Sequence, residues 1–192
     1  MTDDPKATAR AAAFAARKAA HADAASAPPR ATALLLKAIG PAKGRIIAGY
    51  MPIRTEISPL PAMETLHAMG ARLCVPVIAG AGQPLDFRAW SPESAMQSGP
   101  FGAQIPAHGD WLTPDTLIVP LVAFDARLNR LGYGGGFYDR TLHRLRAAAP
   151  TRAIGFAYAA QEHPDLPQEP TDQRLDALVT ENGTLAPRPA PD

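Results

Sequence analysis

The sequence predicts an α/β fold: a single domain in three α/β/α layers around a mainly parallel central sheet. Three observations carry this. The chain has 192 residues of which 46% are hydrophobic, enough for one sizeable core. Short apolar runs alternate with helical patterns along its length. Several of those runs are apolar throughout, as in strands covered on both faces, and not half-polar as in strands that face water.

The elements follow in order. Residues 5–25 form an alanine-rich helix opened by Pro5 and ended by "SAPPR", since alanine leads the propensity scale and proline suits a first turn. "ATALLLKAIG" reads as a second helix closed by Gly40, and "RIIAGYMPI" as a first buried strand. "SPLPAMETLHAMGA" has helical spacing with a glycine stop, "RLCVPVIA" is a second buried strand, and "PLDFRAW" alternates as a half-exposed strand does. Residues 91–113, rich in Pro, Gly and Ser, read as a long loop, a feature that in a compact domain often carries function. "TLIVPLVAF" is the most apolar run and the best central strand. After a glycine-rich loop come a helix over residues 137–149 and the short strands "RAIGFAY" and "DALVTE". The domain is expected to span residues 1–183, with residues 184–192 a disordered tail.

Composition excludes several classes of function. Nineteen basic residues against eighteen acidic ones leave a net charge of +1, which gives no support for a nucleic-acid or membrane-surface protein. An anionic ligand must be met by a few placed charges. The lone Cys74, inside "RLCVPVIAG", forms no disulfide framework or CxxC metal site and reads as a small core residue in a reducing cytosol. The five histidines show no metal spacing and receive no role. The N-terminus lacks the apolar core of a signal peptide, and no stretch nears the length of a membrane span, so a cytoplasmic protein is expected.

The segment "RLGYGGGFYD", Arg130 to Asp139, concentrates the chemistry. Four glycines fall within residues 132–136, just past the central strand, and parallel sheets bind ligands beyond the carboxyl ends of their strands. The pattern is neither the GxxxxGK[ST] phosphate loop nor an in-register GxGxxG, and no acid stands about 20 residues on, which argues against a nicotinamide-dependent oxidoreductase. It is either a ligand-free tight turn or a backbone cradle at a helix N-terminus, where free N–H groups favour phosphate. Asp139, in the first turn of that helix, is either a favourable dipole partner or a ligand for Mg²⁺, which takes one or two carboxylates with phosphate oxygens and water. The second carboxylate comes from "EPTDQRLDALVT", where Asp172 is better placed than Asp176. Lys6 and Arg10, four residues apart, share a helix face. They are either solvated or, if that helix docks over the ligand edge, within reach of phosphates.

Taken together, "LVAFDARLNRLGYGGGFYDRTL", preceded by "GYMPIRTEI" and followed by "IGFAYAAQE" and "EPTDQRLDALVT", closely resembles the 5-formyltetrahydrofolate cyclo-ligase family. The resemblance runs in order from Lys6 to about residue 180. It implies an α/β/α enzyme that uses ATP and Mg²⁺ to cyclise 5-formyltetrahydrofolate to 5,10-methenyltetrahydrofolate, releasing ADP and phosphate. The implied ATP contacts are Lys6, Arg10 and the loop Arg130, Leu131, Gly132, Tyr133, Gly134, Gly135, Gly136, Phe137 and Tyr138. Lys6, Arg130 and Tyr138 stand closest to the chemistry. Residues 133–137 of the same loop also face the folate, with Met51 and Glu56 as further substrate contacts. Asp139 and Asp172 are the implied magnesium ligands. The chain departs from some relatives, which carry basic residues at the positions of Tyr133 and Gly135, and from many that have Glu near Gln104. The only partner implied is the small-molecule substrate, and the expected state is a monomer. The competing reading is a nucleotide-binding regulatory relative without ring closure. Such a protein should have lost Lys6, Glu56 or an aspartate, and this chain keeps them all.

Overall fold

The computed structural model describes residues 5–23 and 27–187. The elements in chain order are α1 (Pro5–Asp23), α2 (Ala27–Ile39), β1 (Ile46–Ala48), α3 (Leu60–Ala68), β2 (Arg72–Ile78), β3 (Leu85–Trp90), β4 (Met96–Ser98), β5 (Gln104–Pro106), β6 (Thr116–Val119), β7 (Ala123–Phe124), β8 (Arg130–Leu131), α4 (Phe137–Ala148), β9 (Arg152–Phe156), β10 (Ala177–Thr180) and β11 (Gly183–Leu185). The main sheet has the order β11-β10-β9-β6-β1-β2-β3. Every pairing from β10 across to β2 is parallel. Only the edge strands, β3 against β2 and β11 against β10, run antiparallel.

Alternation along the strands builds two apolar layers. Ile47, Leu73, Val75, Ile118, Ile154, Phe156 and Val179 face one way and pack against Leu35 of α2 and Met63 and Leu66 of α3. Ala48, Cys74, Leu117, Val119, Ala153 and Leu178 face the other way, onto Leu142 and Leu145 of α4. The interiors of the central strands are apolar because each face has its own helix layer, which is why these runs show no polar alternation. Cys74 is wholly buried, and burial pushes its thiol up to about 12, the behaviour of a core residue.

The topology places the ligand edge. The chain leaves β1 for β2 on one side and later returns to β6 on the other side of β1. The carboxyl ends of β1 and β6 therefore flank the switch point at which open α/β sheets bind ligands. Across this edge lies α1, whose buried Ala9 and Ala13 pack on Val122, Ala123, Leu131 and Leu166.

Several boundaries differ from the sequence expectation. "TLIVPLVAF" is two strands, because Pro120 lacks the N–H that would continue the ladder. Beyond it, β7 pairs with β8 as a separate hairpin. The supposed loop 91–113 holds the hairpin β4–β5, with a single 3₁₀ turn, Pro100–Gly102, between its strands. "RIIAGYMPI" narrows to three strand residues, since the chain from Tyr50 onward leaves the sheet to line the cleft. The expected tail at 184–192 begins too early: Thr184 and Leu185 belong to β11, and residues 188–192 lie outside the described residues. So do residues 24–26, at the expected end of the first helix.

Candidate active site

A cleft of about 1170 Å³ opens at the switch point, larger than a single drug-sized ligand requires. Its walls come from α1, the segment after β1, the 3₁₀ turn, the glycine loop with the start of α4, and residues 169–173. All fifteen residues that the sequence pointed to line this one cleft.

At one end the side chains are charged and mutually paired. Lys6 Nζ donates to Asp172 Oδ2 at 2.8 Å and lies 3.2 Å from Glu169 Oε1. Burial pulls the Lys6 pKa down, but its hydrogen bonds and the charges of Asp172 and Glu169 outweigh this and hold it above the ordinary lysine value. Arg130 Nη2 donates to Asp139 Oδ1 at 2.8 Å, and Nη1 to the carbonyl of Gln173. The Gln173 amide also donates to Asp139 Oδ1, at 2.9 Å. This backbone link brings the Asp172 turn against the first turn of α4, so two carboxylates far apart in sequence share one end of the cleft. Asp176, the alternative acid, is spent at the opposite sheet edge on the Ala153 amide and Arg146.

The glycine loop has geometric reasons for its composition. Gly134 sits at φ +101° and Gly136, the N-cap of α4, at φ +63°, conformations that cost an L-residue energy. A Cβ at Gly134 would also stand 3.5 Å from the Arg10 guanidinium, whose Nε donates to the Gly132 carbonyl at 3.0 Å. Among the described residues no side chain caps the start of α4, which leaves its first-turn N–H groups available to a ligand acceptor. Phe137 and Tyr138 both pack partly against the core layer under α4. The Tyr138 hydroxyl is buried with no hydrogen-bond partner among the described residues, and burial raises its pKa.

At the other end the acid is buried. Glu56 is 7% exposed; its Oε2 accepts the Ile53 amide at 2.9 Å and its Oε1 the Tyr133 hydroxyl at 3.0 Å. Burial raises its pKa against the opposing pull of these two donors and of Arg17 and Arg54. Tyr133 is itself raised to about 12, first by burial and then by the Glu56 charge. Met51 packs against the core layer shared by α2 and α3. The buried Tyr50 hydroxyl donates to the Ile57 carbonyl at 2.6 Å, bracing the segment that carries Glu56.

Sequence reasoning missed further lining residues: Tyr50, Arg54, Phe101, Arg140, His143 and Glu169. It also missed Arg17, buried behind Glu56. Arg17 did carry a signal, since with Lys6, Arg10 and Ala13 it falls on one face of α1. Among the described residues no group of three or more His, Cys, Asp or Glu side chains could hold a metal alone. The paired carboxylates Asp139 and Asp172 are the number expected where phosphates and water complete a Mg²⁺ shell. No described helix is long and apolar enough to cross a membrane.

Comparison with known proteins points to one family. Residues 4–181 match the model of the 5-formyltetrahydrofolate cyclo-ligase family. A 5-formyltetrahydrofolate cyclo-ligase from Mycolicibacterium smegmatis is 33% identical over 147 residues, 71% of this chain and 74% of that protein. One from Escherichia coli is 36% identical over 141 residues, 70% of this chain and 76% of that protein. Among solved structures, the 5,10-methenyltetrahydrofolate synthetase of Aquifex aeolicus superposes with a TM-score of 0.76 at 26% identity, covering 97% of this chain and 95% of the other.

Proposed function

The chain belongs to the 5-formyltetrahydrofolate cyclo-ligase family, and from that premise we propose that it closes 5-formyltetrahydrofolate to 5,10-methenyltetrahydrofolate at the expense of ATP, with Mg²⁺ as the metal. The observation that carries this is the division of one cleft into a glycine-and-cation end and a buried-acid end, each suited to a different substrate.

The residue types match the chemistry. A formamide carbon is a poor electrophile, and its oxygen leaves poorly. Transfer of the γ-phosphoryl of ATP to that oxygen makes it a good leaving group. N10 then attacks the formyl carbon, forming the new C–N bond and giving up its proton, while the C–O bond breaks and phosphate departs. Phosphoryl transfer asks for positioning and charge neutralisation more than for covalent help from the protein. Lys6 and Arg10 supply cations, and the amides of residues 132–138 supply donors that can approach closely. Arg130, already committed to Asp139 and Gln173, holds the acids in place. Asp139 and Asp172 would hold Mg²⁺, which when bound spreads positive charge over the phosphates. At the far end Glu56 accepts N–H donors of the pterin, and Met51, Phe137 and Tyr133 give it apolar and aromatic surface.

The reaction needs no partner beyond its substrates and is assigned to the cytoplasm, with the protein acting as a monomer. The test is absorbance: a methenyl-folate chromophore should grow in the near ultraviolet only when ATP, Mg²⁺ and 5-formyltetrahydrofolate are all present. Nucleotide binding without that chromophore would instead favour the regulatory relative.

A further inference from the structure

Arg17, on α1, is 1% exposed, as deeply buried as the core leucines. Its Nε donates to Thr55 Oγ1 at 3.1 Å. Its guanidinium carbon lies 5.3 Å from the Phe14 ring centre and 5.5 Å from that of Tyr133. Its Nη1 has no hydrogen-bond acceptor among the described residues, and that same atom lies 3.9 Å from Glu56 Oε1. Burying a guanidinium with an uncommitted N–H is costly, and plain packing would be served better by an apolar side chain. The arginine does not line the cleft itself. It stands directly behind Glu56 and Tyr133, which do.

We propose that Arg17 is a positioning residue of the folate end: its guanidinium holds the Glu56 carboxylate charged and aimed, and backs the Tyr133 ring that hydrogen-bonds it, so that the substrate meets a charged acceptor. This rests on the folate reading above. The physical need is plain, because Glu56 lies where burial favours its neutral form. The groups facing it are the Ile53 amide, the Tyr133 hydroxyl, the charges of Arg17 and Arg54, and the phenols of Tyr50 and Tyr138. The phenols are neutral, and Arg54 is on the same segment as Glu56. Arg17 is the buried cation brought from another element.

The test is Arg17→Met, read by the pH dependence of kcat/KM for 5-formyltetrahydrofolate, by KM for ATP and by thermal midpoint. Removing the cation raises the Glu56 pKa, so the acid limb of the folate profile moves to higher pH, by about one unit or more. Folate KM at neutral pH rises about tenfold, while KM for ATP stays within about twofold. Arg17→Lys keeps the charge and returns most of the limb. In a Glu56→Gln background, Arg17→Met adds almost nothing to the folate defect, because the group it acts through is gone. A lowered thermal midpoint with both KM values raised alike and the limb unmoved would overturn the proposal and leave Arg17 a packing residue. Should Arg17→Met fail to fold, Arg17→Gln replaces it, and failure of both to fold overturns the proposal in the same way. A wild-type protein that makes no chromophore condemns the folate reading itself, whereas an unmoved limb in an active variant condemns only the role of Arg17.

Discussion

The two ends of the cleft handle charge in opposite ways. At the glycine end acids and cations are paired: Lys6 with Asp172 and Glu169, Arg130 with Asp139. At the other end one carboxylate, Glu56, lies buried against Tyr133 with a cation at its back. The first arrangement suits a ligand that brings its own strong charges, since a polyphosphate and its metal can take over both sets of partners. The second suits a neutral ring system that brings N–H donors, because a buried acceptor excludes competing water and strengthens each bond it accepts. Ion pairs alone would not reveal this. The opposite edge of the sheet also carries them, at Arg45–Asp115 and Arg146–Asp176, where both acids additionally accept backbone amides from strand starts and tie strands together.

The largest expected effect is at the paired acids. Asp139→Asn and Asp172→Asn should each lower turnover by about a hundredfold or more, and added Mg²⁺ should recover part of the loss by mass action. The double variant should lose less than the summed free energies, because groups acting as a unit are not additive. Rates measured against Mg²⁺ concentration decide this: near-normal turnover with an unshifted midpoint removes that aspartate from the site.

Next in size is Gly134→Ala. The positive φ alone should cost about 1–3 kcal/mol, and the methyl group would crowd Arg10. ATP use should suffer more than folate use, a difference that steady-state KM values for both substrates will show. Equal defects would mean that the loop does not divide the cleft.

A subtler test concerns Glu56 and pH. Its folded pKa is raised, so the folded state holds that proton more tightly than the unfolded chain does. Its contribution to stability therefore falls as pH rises from the ordinary glutamate value, about 4.3, through the raised one. Thermal midpoints of Glu56→Gln and wild type, compared from acid to neutral pH, should shift in favour of the glutamine form. A flat difference would mean that burial does not dominate at this carboxyl.

The smallest effect belongs to Asp115 at the far edge. Burial works against its ionisation, yet the Thr116 hydroxyl, the Ile46 amide and Arg45 together hold its carboxyl below the usual range. Its contribution is present above the unfolded pKa and lost as pH falls through the folded one. Asp115→Asn should cost about 1 kcal/mol or less and leave both KM values unchanged. A change in either KM would mean that the two sheet edges are coupled.

Much of this was readable in the sequence, because burial on both faces leaves uninterrupted apolar runs and a glycine loop before a helix is a local signal. What escaped depended on contacts between distant segments. "TLIVPLVAF" looks like one strand until Pro120 is weighed against the ladder it interrupts. The hairpin β4–β5 is short and polar enough to read as loop. Arg17 looks like a solvated cation on an alanine-rich helix, and only the docking of α1 over the ligand edge buries it. Tyr50, Arg54 and Phe101 reach the cleft through the paths of their loops, which no spacing rule encodes. The pairing of Lys6 with Asp172 across 166 positions is likewise a product of topology.

The most direct test of a divided cleft is a crossed measurement: KM for ATP and KM for 5-formyltetrahydrofolate, each determined in Lys6→Ala and in Glu56→Gln. Lys6→Ala should raise KM for ATP about tenfold to a hundredfold, the cost of one charge-assisted phosphate contact of about 1.5–3 kcal/mol, while folate KM stays near the wild-type value. Glu56→Gln should do the reverse, with folate KM raised about tenfold or more and ATP nearly untouched. If each variant raises both constants to the same extent, the two ends are not separate binding regions, and the assignment of ATP to the glycine end and folate to the buried acid is contradicted.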